Sequence, residues 1–341
     1  MLLRYCKALS LCRLIKLVIC FGLKLTPIEI SKIKKLDFFG TGLVVAAVIC
    51  AVLALNWGGT KYPWSNGIII TLFVGAIAIF ACFVVWEVYL AKEPIMAFRL
   101  FKIRNVAVGS LGNIFVGYPM MGCISYLPLF FQVVQGKTAT QSGVQMIPMM
   151  FGLIIGSVGS GFTVSKIGKF HFFPMIGLAL ATIGLYLLSL LNEHKNLGKE
   201  IGFLAIEGLG VGLCVQTFLI GTQSVVGFKD IAIVTAGVNF FRTIGGVFGV
   251  AVFGAIFNSK LAGSTGGISI NAETISTLPE DVKAKIITSF VHALSDVFLY
   301  AIPVAGVGFL VSLLFQHHSL NRAPPAGGPQ QKQEQHMVVE L

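Results

Sequence analysis

Ile68-Ile-Ile-Thr-Leu-Phe-Val-Gly-Ala-Ile-Ala-Ile-Phe-Ala-Cys-Phe-Val-Val85 contains no charged residue, and its reading decides the fold class. A helix needs roughly 20 apolar residues to cross the ~30 Å hydrocarbon core of a bilayer. Working outward from this stretch, runs of that kind occupy about 38–56, 68–90, 106–131, 142–165, 171–191, 201–226, 231–257 and 292–315. Hydrophobic residues make up 55% of the chain and charged residues 11%, too little charge to cover a soluble protein of 341 residues. The expected fold is an all-α integral membrane bundle of about eight transmembrane helices.

The gaps between the runs carry a second signal. With eight spans both termini lie on one face, which holds 17 Lys and Arg against 7 on the other, with Arg242 inside a span. The positive-inside bias places both termini in the cytoplasm. Basic residues beside span ends meet anionic headgroups, so the formal charge of +11 predicts membrane lipid as a partner and no nucleic acid. Seven scattered cysteines without a CxxC pair argue against a disulfide framework and against a metal site. No cofactor motif appears. No clustered His, paired Asp or Ser/His set lies at a span end, so an enzyme is not expected.

Between the spans the chain is mostly tight. Trp57-Gly58-Gly59-Thr60-Lys61-Tyr62-Pro63-Trp64 reads as an aromatic interfacial turn. The outer loop 258–291 is longer, with a flexible first half and then Thr277-Leu278-Pro279-Glu280-Asp281, which predicts a helix start. That amphipathic helix is expected on the outer surface, running into the last span. Residues 1–37 form a basic N-terminal segment containing a candidate interfacial helix, and the tail 316–341, rich in Pro, Gly and Gln, is expected to be disordered. Gly152-x3-Gly156-x3-Ser160, Gly208-x3-Gly212 and Gly245-x3-Gly249 each line one helix face and permit close backbone approach. Pro119, Pro148 and Pro303 are placed inside spans.

Ionisable groups inside a membrane are costly and mark pathways. Arg242 is the firmest case. Only 15 residues separate it from Asn258, so the span must begin before it. Glu207 and Asp296, near the outer ends of their spans, are candidates for carrying a proton, since burial favours the neutral carboxyl. Each is equally readable as an interfacial carboxylate in water. Gln216 and Asn239 lie deep enough to bind a substrate or to bridge helices. Glu87, at the cytoplasmic end of the second span, is read as solvated.

From Lys32 onward the chain resembles the fungal form of the fourteen-span drug:proton antiporters of the major facilitator superfamily. The resemblance rests on Leu36-Asp37-Phe38-Phe39-Gly40-Thr41, Ala54-Leu55-Asn56-Trp57-Gly58-Gly59, Tyr62-Pro63-Trp64-Ser65, Tyr126-Leu127-Pro128-Leu129-Phe130-Phe131-Gln132 and Gln141-Ser142-Gly143-Val144. Gly161-x3-Ser165-Lys166-x-Gly168-Lys169 then matches the superfamily's cytoplasmic loop signature, with Ser165 where Asp is usual, and Asn239-Phe240-Phe241-Arg242-Thr243 with Gly245, Gly246 and Gly249 closes the series.

The resemblance implies a two-span insert hairpin over 38–90 and a six-span bundle over 91–315. It implies export of small lipophilic or cationic molecules coupled to protons, at the plasma membrane ahead of the vacuole. It gives Asp37 and Gly40 a place at the first span's start, and Gly161, Ser165, Lys166, Gly168 and Lys169 a place in a gating loop. Family members have six spans before the insert that nothing here matches. The chain is therefore expected to be a half that needs a second bundle or a homodimer, an inactive fragment, or a regulatory membrane protein that binds an intact transporter.

Overall fold

The computed structural model describes residues 37–58, 61–90, 98–193, 196–265 and 280–316. The expected N-terminal interfacial helix and all but the first residue of the tail lie outside them. Helices α1 (Phe38–Trp57) and α2 (Gly67–Val85) form a hairpin, and α2 continues into a π-turn, Trp86–Leu90. A 3-10 turn, Phe98–Lys102, leads into α3 (Arg104–Val133), a short α4 (Ala139–Gln145), α5 (Ile147–Ile167) and α6 (Phe172–Ser189). Then come α7 (Leu197–Gln223), a 3-10 turn at Phe228–Asp230, α8 (Ile231–Thr265) and α9 (Glu280–Ser312). Among the described residues, eight helices are long and apolar enough to cross a membrane, with α4 and α5 counted as one span.

Local chemistry starts and stops these helices. Asp37 caps α1 by accepting from the Gly40 amide at 2.8 Å, and Asn66 caps α2 through the Ile68 amide at 2.9 Å. Thr138 and Gln141 form a reciprocal capping box on α4. Asn196 caps α7, with Glu200 in the first turn where the helix dipole favours an acid. Gly168 ends α5 with φ +74°, a left-handed conformation that suits glycine.

Two helices organise the bundle. Helix α7 packs against α5, α6 and α3, and α3 packs against α8, α9 and α7, while α9 also closes against α6 and α8. The glycine stripes read from the sequence meet one another. A Cβ on Gly208 or Gly212 would strike the carbonyl oxygens of Met149 and Leu153 on α5, and one on Gly156 would lie 2.6 Å from the Leu209 carbonyl oxygen on α7. Gly245 and Gly249 of α8 press likewise on the backbone at Ile114 and Tyr118 of α3. Without a hydrophobic drive between helices in lipid, this backbone proximity is the source of cohesion. The hairpin touches the bundle chiefly through α1 on α8, and α2 packs on α1. Ile70, Val74, Ile77 and Phe80 of α2 are exposed, the apolar surface expected of a lipid-facing helix.

Some expectations change and others are refined. Pro148 lies inside the fourth span, but in the first turn of α5 at the break from α4, where a missing N–H costs nothing; Pro119 and Pro128 lie inside α3, and Pro303 inside α9. The outer loop is shorter than 258–291, because α8 runs to Thr265 and α9 begins at Glu280. The amphipathic segment does run into the last span, but it is not confined to the surface. It is the first part of α9, with Ile286 and Phe290 buried in the same core as Phe257 and Leu261. Glu87 is not solvated: it sits in the π-turn at 3% exposure, near Gly40 and Asp37.

Candidate functional site

Polar groups on α8 form a ladder rising from the end of the bundle that carries Lys166 and Lys169, termed the basic end. Thr235 accepts from the Gln223 amide of α7 at 2.8 Å. One turn on, Asn239 donates to the Thr235 carbonyl at 3.0 Å, and its own carbonyl oxygen accepts from Arg242 Nη2 at 2.7 Å. Spacings of four and three keep Thr235, Asn239 and Arg242 on one helix face. Arg242 lies eleven residues into α8, about 16 Å at ~1.5 Å per residue, so the span does begin before it. It is half-buried, and among the described residues no carboxylate pairs with it. Its backbone carbonyl faces Gly117 of α3, so α3 and α8 approach closely at the arginine as they do at Gly245 and Gly249.

Glu207 is deeper than the sequence suggests. Helix α7 starts at Leu197, which puts Glu207 ten residues, about 15 Å, from that end and near the middle of a 27-residue helix. It is fully buried against Gly184 of α6, close to Cys123 of α3, and among the described residues neither carboxyl oxygen has a hydrogen-bond partner. Buried carboxyls are normally satisfied, so this one requires a reason. Glu207 and Arg242 form no ion pair.

The remaining sequence candidates disperse. Asp296 pairs with Lys260 of α8 at 2.8 Å, both partly exposed, near the end of the bundle opposite the basic one. Gln216 lies between α7 and α5, its Cγ about 3.3 Å from where a Gly161 Cβ would stand, and its amide makes no hydrogen bond among the described residues. Ser165 donates to the Gly161 carbonyl one turn back at 2.8 Å, so its hydroxyl is used inside α5 rather than on a neighbouring helix. Lys166 lies over the Phe162 ring, 4.4 Å from its centroid. Asp37 does more than cap: its second oxygen accepts from the Trp86 indole at 2.9 Å, which clasps the open end of the hairpin.

The structure adds a site that sequence reasoning missed. Glu200, 4% exposed, accepts from the Gln135 amide, in the turn after α3, at 2.7 Å and from the Gln145 amide of α4 at 3.0 Å. Beside it, Gln132 donates to Ser142 at 3.1 Å. The two family-like segments around Gln132 and Ser142 thus meet the start of α7 in one polar knot. Glu200 and Glu207 are seven residues apart and share a face of α7, a spacing visible in the sequence. Asn113 on α3 is also fully buried, with its amide on the Gly109 carbonyl and its own oxygen unpartnered among the described residues.

No family model matches the chain. An uncharacterized MFS-type transporter of Mycobacterium tuberculosis is 33% identical over 291 residues, which cover 82% of this chain and 42% of the relative. An MFS-type efflux pump of Arthroderma benhamiae is 36% identical over 231 residues, covering 68% of this chain and 43% of the pump. The aspyridones efflux protein of Neocamarosporium betae is 34% identical over 232 residues, again 68% of this chain and 41% of the relative. The chain spans about half the length of the curated relatives it matches, and it resembles the C-terminal part of these larger transporters. Among solved structures, a bacterial homolog of the human lysosomal transporter spinster, inward-facing and occupied, superposes with TM-score 0.56 at 16% identity, covering 84% of this chain and 65% of the homolog. That likeness shows a shared fold, and with the MFS-type relatives and the eight candidate spans it makes this a major facilitator-like helical bundle in a multi-pass membrane protein.

Proposed function

We propose that this chain supplies one six-helix half, with the central hairpin, of an exporter of small organic molecules driven by proton entry. The carrying observation is Arg242: a guanidinium about 16 Å into a membrane-spanning helix, held by Asn239 and lacking an acidic partner among the described residues. Uncompensated charge at that depth is retained where it meets a cargo or a wet path. The efflux names of the fungal relatives support the direction of transport. An arginine offers donors only, so the cargo suited to this ladder is lipophilic and rich in acceptor oxygens rather than a bare cation. Glu207 is the coupling group in this reading, because a proton on a partnerless buried carboxyl is the charge most readily exchanged when the bundle moves.

Alternating access in such folds rocks one bundle against another around a site between them. The ladder therefore needs an opposing wall from a second six-helix bundle. Both termini lie on the cytoplasmic side in this reading. External thiol labelling should mark Thr60→Cys and spare Lys169→Cys; the reverse pattern overturns the orientation. The functional test is pH-gradient-driven flux in proteoliposomes of defined oligomeric state, comparing acceptor-rich neutral probes with lipophilic cations. Saturable flux from a verified monomer of this chain contradicts the need for a second bundle. In an assembly that transports, Arg242→Ala should cut flux at least tenfold with little change in thermal unfolding. Full flux in that variant would place the guanidinium at the interface instead.

A further inference from the structure

The hairpin leans on the bundle along one helix. Helix α1 packs on α8 while α2 packs on α1, so a wedge opens between α2 and α8. It forms a cavity of about 470 Å³, within the ~300–1,000 Å³ range of small-molecule sites. Its hairpin wall is hollowed by Ala47, Ala51 and Ala76, and its bundle wall is made of Phe240, Phe241 and Phe248. No lining side chain contains a nitrogen or oxygen atom. Ala47, Ala51 and Ala76 lie near the middle of their helices, at the depth of the bilayer centre. Ile77 and Phe80, which are largely exposed, stand where the cavity meets the surrounding lipid.

Three properties select the occupant. A polar group inside would have no partner and would lose its hydration, which excludes water, ions and the polar part of any cargo. The mouth is continuous with the lipid-facing surface of α2, so the surrounding medium has direct access. An empty space of this size would forfeit dispersion contacts along its whole lining, whereas hydrocarbon fills it without desolvation. We infer that an acyl chain of a bilayer phospholipid occupies the space between α2 and α8, its headgroup remaining at the interface. The chain then forms part of the seam between hairpin and bundle, and the hairpin's position depends on lipid.

Fluorescence quenching by lipid tests this on the full chain. The three native tryptophans are replaced by phenylalanine, one tryptophan is introduced, and the protein is placed in vesicles of phosphatidylcholine brominated at mid-chain. Ile77→Trp is the lipid-exposed reference and Phe253→Trp, inside the bundle core, the shielded one. Phe248→Trp, on the bundle wall behind the hairpin, should be quenched at least half as strongly as Ile77→Trp. Filling the space with Ala51→Phe and Ala76→Phe should bring Phe248→Trp down to the shielded level and leave Ile77→Trp unchanged. Ile244→Trp gives an independent reporter if Phe248→Trp is not monodisperse. Quenching of both wall reporters no stronger than Phe253→Trp overturns the inference. Loss of their quenching on adding a transported lipophilic probe would assign the cavity to cargo rather than lipid, and also overturns it.

Discussion

The seam between α5 and α7 and the seam between the hairpin and α8 lie at similar depths and are built on opposite principles. At the first, Gly152, Gly156, Gly208 and Gly212 bring two backbones into contact along about two turns, leaving no room for a Cβ. At the second, alanines face phenylalanines across a 470 Å³ gap, and the open end of the hairpin is clasped by Asp37 and Trp86. In a solvent as apolar as the side chains, cohesion comes from backbone approach and from polar bonds that lipid cannot replace. The bundle uses the first means at the α5–α7 and α3–α8 seams and adds polar bonds at its ends, such as those of Glu200. The hairpin relies on the second at one end and admits lipid along its length.

The contrast is broken most severely by adding side chains at the tight seam. Gly208→Val and Gly212→Val place methyl groups against the carbonyl oxygens of Met149 and Leu153, and backbone cannot step aside as a side chain can. Each should destabilise by about 3 kcal/mol, the upper part of the range for overpacking, read as a lowered thermal midpoint and aggregated protein in detergent. Gly75→Val on α2, with nothing within 4 Å, should leave the midpoint unchanged. Equal loss in both would erase the distinction between seams.

Asp37→Ala removes an N-cap and the acceptor for the Trp86 indole. A cost of about 1–2 kcal/mol is expected from the cap alone, with a red shift of Trp86 emission if the clasp releases. An unchanged spectrum would show that the hairpin is held by apolar contact only. At the small end, Ser165→Ala loses an exposed bond within α5 and should fall within about 0.5 kcal/mol of the parent, as surface changes do. A larger effect would mean that Ser165 holds the loop to a neighbouring element.

Much of this architecture is readable from the chain. The eight apolar runs become eight candidate spans, and the glycine stripes do mark helix faces in contact. Which stripe meets which was not readable, since the pairing of Gly152 with the Gly208 stripe is fixed in three dimensions. The break beside Pro148 is hidden in an apolar run: α4, begun by the Thr138 capping box, ends at Gln145, and α5 starts with Pro148 in its first turn. Glu207 was placed too shallow because Lys199 and Glu200 look like loop residues, whereas Asn196 caps the helix before them. The buried state of Glu200 was legible in principle from its seven-residue spacing to Glu207, but its glutamine partners come from separate segments. The Lys260–Asp296 pair joins α8 and α9, far apart in sequence, and nothing local announces it.

The central claim is that a buried, partnerless carboxyl on α7 couples proton movement to transport. It is tested most directly by separating pH-driven flux from exchange in Glu207→Gln, within an assembly whose parent transports. The amide keeps the volume and mimics the protonated form, so exchange of pre-loaded cargo across equal pH should persist near the parental rate. Flux driven by a pH gradient should fall at least tenfold. Retention of full gradient-driven flux in Glu207→Gln would contradict the claim and move coupling to another bundle.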